Sequence, residues 1–84
     1  MLHLKQTLLH QIKSATNERE IEIIICHTIY HLRAKGIPAD IIFRFIIGMN
    51  KNLARVLKEV DSNREEKNIT VAIMVLRKIQ KPQD

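Results

Sequence analysis

The apolar positions between residues 18 and 35 repeat with the period of a helix. Four of them recur at steps of four and three and so share one helical face: Ile21, Ile25, Ile29 and Leu32. Isoleucine favours strands, but Ile23, Ile24 and Ile25 are adjacent and break the alternation that a half-buried strand requires. The pattern therefore predicts a helix, with Ile24 and Thr28 widening its apolar face.

Two pairs of residues carry the signature of a helix start. Asn17 is followed three positions later by Glu20, and Ser62 is followed in the same way by Glu65. In such a capping box the first side chain accepts a bond from the backbone N–H of the glutamate, and the carboxylate reaches back to the cap. These pairs predict helices that begin just after Asn17 and Ser62.

The glycines and prolines agree with an all-helical chain. Gly36 suits the left-handed position that follows a helix, and Pro38 suits the first turn of the next one. Pro82 falls where the last helix is expected to end. We therefore predict an all-α fold in one domain over residues 1–84. It is a compact bundle of four helices, at about 2–14, 18–35, 38–60 and 63–80.

The third helix has the clearest apolar stripe, and it is predicted to be the longest. Its members step by four and three without losing phase: Ile42, Ile46, Met49, Leu53, Val56 and Val60. Because the stripe passes through Gly48, one continuous helix is expected, with Gly48 as the place for a bend. The alternative is a break at 48–50, with Asn50 capping a new helix.

The predicted helices carry more apolar surface than a small bundle can bury. Ile41, Phe43, Phe45 and Ile47 fall outside the stripe of the third helix, and the second and fourth helices also have apolar second faces. Exposed patches of this kind mark association surfaces, so a homodimer is the simplest resolution. The predicted interface residues are Ile23, His27, Tyr30, Phe43, Ile47, Val71, Met74 and Val75. The alternative is a lopsided monomer whose first helix covers these faces.

The net charge of +5 raises the prospect of an acidic partner such as nucleic acid. Most charges need no ligand, because acids gather at helix starts and bases at helix ends, where they complement the helix dipole. One set remains, which we call the basic ridge. It lies opposite the stripe of the third helix and consists of Arg44, Lys51, Arg55 and Lys58. Such a ridge could bind DNA phosphates, or it could be a solvated face.

The chain offers few candidates for metal binding or catalysis. His27 and His31 are four residues apart on one helix, a spacing that can bind a metal. They lack an accompanying carboxylate, so polar residues at the rim of an interface are the favoured interpretation. Cys26 is expected to be a buried small apolar residue. With no glycine-rich phosphate loop and no paired carboxylates, we expect neither an enzyme nor a cofactor site.

The cysteine content and the hydropathy bear on location. One cysteine cannot form an internal disulfide, and no apolar run approaches the roughly 20 residues needed to cross a bilayer. The first residues lack the features of a secretory signal. We expect a cytoplasmic protein without a membrane partner. The hypothesis is a small helical interaction or regulatory protein; the alternative is a nucleic-acid-binding accessory protein.

Overall fold

The chain folds into four α-helices, as the apolar pattern predicts. The computed structural model describes the backbone of residues 2–80 and the side chains of residues 3–79. The helices are α1 (Leu2–Ser14), α2 (Glu18–Ala34), α3 (Ala39–Leu57) and α4 (Asn63–Gln80). Residues 2–80 contain no strand. The prediction at Pro82 lies outside the described residues.

A single hydrophobic core runs through the bundle, and every helix contributes to it. α4 packs against the other three helices, and its contact with α3 is the most extensive. The predicted face of α2 is buried, and so is most of the stripe of α3; α4 contributes Ile69, Ala72 and Leu76 to the core. The largest fully buried side chains are Leu8, Ile12, Ile21, Ile25, Met49, Leu53, Ile69 and Leu76. Apolar positions at helical spacing thus predicted the buried residues of α2 and most of those of α3.

α2 begins as its capping pair predicts, with one difference. The backbone N–H of Glu20 donates to Asn17 Oδ1 at 2.8 Å. The Glu20 carboxylate, however, accepts from the backbone N–H and the hydroxyl of Thr16, at 3.3 and 3.0 Å, and not from Asn17. The cap therefore extends one residue earlier than expected and fixes the turn that leads out of α1.

The carbonyl groups at the end of α1 are satisfied by side chains of α4. Asn68 Nδ2 donates to the carbonyl oxygens of Ala15 and Lys13 at 2.9 and 3.3 Å, and Arg64 Nη2 donates to that of Ala15 at 3.2 Å. Asn68 is buried. A buried carbonyl without a partner costs about 1–3 kcal/mol, so Asn68 stabilises the packing of α1 on α4.

The turn between α2 and α3 is a Schellman motif. Gly36 has φ +80°, and its N–H donates to the Arg33 carbonyl at 3.0 Å. The N–H of Ile37 donates to the Leu32 carbonyl at 3.2 Å. α3 then begins at Ala39 with Pro38 as its N-cap residue, one position before the expected first turn.

α3 is continuous through Gly48, so the alternative of a break at 48–50 is wrong. The helix ends at Leu57 rather than near residue 60, because Lys58 and Glu59 donate to the carbonyls of Arg55 and Val56, three residues back. These tighter bonds close the last turn. Val60 lies beyond the helix and still packs against the core.

The prediction that Phe45 lies outside the buried stripe of α3 is wrong. Its side chain is only 3% exposed and belongs to the core. In a helical projection at 100° per residue, all the buried side chains of α3 fall within an arc of about 100°, with Phe45 at one edge and Ile46 at the other. Because α3 packs against both α4 and α2, its covered face is wider than one line of side chains.

Candidate interaction surfaces

The face of α2 that points away from the bundle is partly apolar. Ile23 is 58% exposed and Tyr30 is 71% exposed. The two side chains lie seven residues apart, two turns of the helix, on the side opposite Ile25 and the other buried residues. Cys26 and His27 lie between them, and both are exposed. We call these four residues the α2 outer face.

Cys26 does not lie in the core, so the expectation of a buried cysteine is wrong. It is exposed and lines a shallow depression with Arg19, Glu22 and Ile23. Its position is about 100° around α2 from Ile25, which turns the thiol out of the bundle. Because α2 has apolar residues on both sides, its sequence pattern does not show on which side a small residue such as Cys26 lies.

The predicted interface residues on α3 and α4 are less uniform. Phe43 and Met74 are exposed, whereas Ile47 and two of the α4 residues, Val71 and Val75, are half-buried. Val71 and Val75 pack against the core of their own chain. Much of the second face of α4 is thus covered within the bundle, which leaves Met74 as its principal exposed apolar side chain.

Phe43 lines an apolar groove at the end of the bundle that holds the α2–α3 turn. The groove encloses about 350 Å³, and its walls come from that turn, from the start of α3 and from the end of α4. Its lining residues are Arg33, Ile37, Ala39, Ile42, Phe43, Ile46 and Ile79. It lies beyond the C-terminal end of the α2 outer face.

His27 and His31 stand side by side on α2. Their ring centroids are 6.5 Å apart, with 13° between the ring planes, and both side chains are exposed. Within residues 2–80, no group of three or more His, Cys, Asp or Glu side chains is placed to hold a metal ion. His27 belongs to the α2 outer face, and His31 lies one turn further along the same helix; their interpretation as the rim of an interface stays a prediction.

All four residues of the basic ridge are exposed. Arg44, Lys51 and Arg55 lie on the outer side of α3, and Lys58 is the C-cap residue just beyond it. From Arg44 to Arg55 the ridge extends over about 17 Å of helix at 1.5 Å per residue. Arg55 Nη2 donates to Asn52 Oδ1 at 2.7 Å, so the guanidinium is oriented by an amide of its own helix. Asp40 lies one turn before Arg44 on the same side of α3.

Lys5 of α1 joins the basic ridge, a contact that the sequence did not indicate. A β-carbon added at Gly48 would stand 2.6 Å from Lys5 Nζ, so the ammonium group lies directly over the glycine. Lys5, Gly48, Lys51, Asn52 and Arg55 line one shallow cleft between α1 and α3. We call it the α1–α3 cleft. Its lining carries three cations and no acid.

Comparison with known proteins does not indicate a function for this chain. No protein-family model, curated protein or solved structure matches the chain. Among the described residues, none of the four helices has the length and hydropathy of a membrane span.

Proposed function

We propose that this protein is a small non-enzymatic interaction protein that acts as a homodimer, with the α2 outer face as its principal contact. The observation that carries the proposal is the exposure of Ile23 and Tyr30 on one face of α2, where they are the two most exposed large apolar side chains of the described residues. Burial of a side chain of this size is worth roughly 1.5–3 kcal/mol. A surface that exposes both gains free energy when it associates.

A second copy fits this face better than an unrelated surface does. The face is centred between Cys26 and His27, so an antiparallel pair of α2 helices about a two-fold axis sets Ile23 of one copy against Tyr30 of the other. The contact is self-complementary, as an isologous interface requires. Cys26 and His27 then lie beside the symmetry axis.

The charges along α2 favour the same antiparallel arrangement. Its first half carries three acids, Glu18, Glu20 and Glu22, and one base, Arg19, for a net charge of −2, and the basic residues Arg33 and Lys35 lie at its end. In an antiparallel pair the acidic half of each copy runs beside the basic end of the other. A parallel pair would place like charges together, at a cost in free energy.

The oligomeric state tests this proposal. Sedimentation equilibrium at micromolar concentration should give a mass near twice that of the 9.8 kDa chain, with a fully reduced thiol. A single species at the mass of one chain across that concentration range would refute the homodimer. We place the protein in the cytoplasm, where its exposed cysteine would stay reduced.

A second candidate function is nucleic-acid binding, and the α1–α3 cleft is the observation that favours it. The basic ridge alone is also compatible with a solvated face. The approach of Lys5 to Lys51 and Arg55 adds a cation from another helix at the same place. Proteins that neutralise phosphates bind duplexes with a steep dependence on salt. Binding to a generic duplex at about 50 and about 200 mM salt should reveal that dependence, and no binding at the lower salt would refute this function.

A further inference from the structure

We propose that the α1–α3 cleft is a binding site for a phosphate group, held by Lys5, Lys51 and Arg55 above Gly48. The inference deepens the second candidate function, because a nucleic-acid backbone is one source of such phosphates. A free polyphosphate is the other source. The site is independent of the α2 outer face, which lies on a different helix.

Three like charges from two helices converge on the cleft. Lys5 comes from α1, and Lys51 and Arg55 come from successive turns of α3, yet all three line one shallow cleft without an acid among its lining residues. Like charges brought together in this way repel one another. An anion bound between them removes the repulsion, and the half-buried position of Lys5 weakens the screening by water.

A glycine, Gly48, lies at the floor of the cleft. Glycine in a helix interior is less stable than alanine, and Gly48 lies in the middle of α3 without a positive φ to require it. What its missing side chain provides is space. The Lys5 ammonium group lies only 2.6 Å from the position that a β-carbon would take, so the absence of a side chain at Gly48 leaves room for the third cation at the cleft.

The guanidinium group of Arg55 is held in one orientation. Its bond to Asn52 Oδ1 uses one of the five N–H donors of the guanidinium and orients the planar group. An oriented guanidinium matches the geometry of phosphate oxygens, while a lysine acts as a point charge. Two lysines beside one arginine are therefore suited to phosphate more than to a single carboxylate.

The test compares two variants that remove the same charge. Lys5→Gln keeps most of the side chain and removes one of the three cations of the cleft, whereas Lys67→Gln removes an exposed cation of α4 that lines a different depression. Fluorescence anisotropy would follow a short labelled duplex at about 50 and about 200 mM salt, with inorganic tripolyphosphate as competitor. Lys5→Gln should weaken the binding of both the duplex and tripolyphosphate severalfold. For the duplex, it should also lower the slope of log affinity against log salt concentration by about one. Lys67→Gln should bind as the natural protein does.

Gly48→Ala provides a second test, in which binding and stability should change in opposite directions. The new methyl group displaces the Lys5 ammonium group, so tripolyphosphate binding should weaken as in Lys5→Gln, while the urea midpoint of unfolding should rise.

Equal binding by Lys5→Gln and Lys67→Gln would overturn the site, since net charge would then explain the affinity. Tripolyphosphate binding that depends on Lys5, without binding of the duplex, would support the site and refute nucleic acid as its source.

Discussion

The outer sides of α2 and α3 both point away from the core, yet they are built from opposite chemistry. α2 exposes Ile23 and Tyr30 between an acidic first half and a basic end. α3 exposes four cations, and α1 brings Lys5 to the same place. A face that carries both signs of charge around apolar residues can pair with a copy of itself. A face whose charges are mostly positive repels a copy of itself, and it is suited to binding an anion.

The largest effect should come from a charge placed in the α2 outer face. Ile23→Asp removes a buried isoleucine from both copies of the proposed dimer, a loss of roughly 3–6 kcal/mol, or roughly a 10²–10⁴-fold increase in the dimer Kd. Met74→Asp, a matched change at an exposed residue of α4, should leave the Kd nearly unchanged. Sedimentation velocity over a dilution series measures both. An equal effect of the two substitutions would move the interface away from α2.

Charge reversal on α3 should separate the two faces. With Lys51→Glu and Arg55→Glu together, two attractive contacts become repulsive, and duplex affinity at low salt should fall by roughly 10²-fold. The dimer should keep its Kd, because neither residue lies on α2. Anisotropy and sedimentation on the same preparation measure the pair of outcomes. A variant that loses the dimer along with duplex binding would contradict the separation.

A smaller effect is expected on stability at the floor of the cleft. Gly48→Ala should raise the free energy of unfolding by about 1 kcal/mol, because alanine is favoured in a helix interior and only the flexible end of Lys5 has to move. Urea denaturation measures the change. Destabilisation by this substitution would mean that the space over Gly48 is needed by the fold itself rather than by a ligand.

The smallest effect should be that of salt on the dimer. Between about 50 and about 200 mM salt, its Kd should change by less than about threefold, since apolar contact dominates and the charges lie at the rim. Over the same range, duplex binding should weaken by roughly 40-fold if three phosphates are neutralised. Sedimentation at the two salt concentrations checks the dimer. A salt dependence as steep as that of the duplex would mean that charge, not Ile23 and Tyr30, holds the copies together.

Local patterns explain why the helices and most of the core could be predicted. The stripe of α3 and the Schellman turn at Gly36 depend on residues close in sequence, and the structure confirms both. The capping pair at Asn17 was found for the same reason. Its carboxylate still bonds to Thr16 and not to the cap, a choice between neighbouring donors that residue spacing does not decide.

The features that were missed depend on contacts between distant residues. Lys5 lies over Gly48 although 43 positions separate them in the sequence. Asn68 bonds to carbonyls at the end of α1, which no pattern within α4 reveals. Phe45 is buried and Cys26 is exposed because the packing of neighbouring helices decides how wide each covered face is. Only the assembled bundle shows these contacts.

Cross-linking of Cys26 tests the proposed α2 pairing most directly, because the thiol is predicted to lie beside the two-fold axis. A short bis-maleimide should convert the natural protein to a covalent dimer at micromolar concentration. A variant with the thiol moved to α4, Cys26→Ser with Met74→Cys, should remain monomeric on a denaturing gel. Efficient linkage through Met74→Cys, with none through Cys26, would contradict the account.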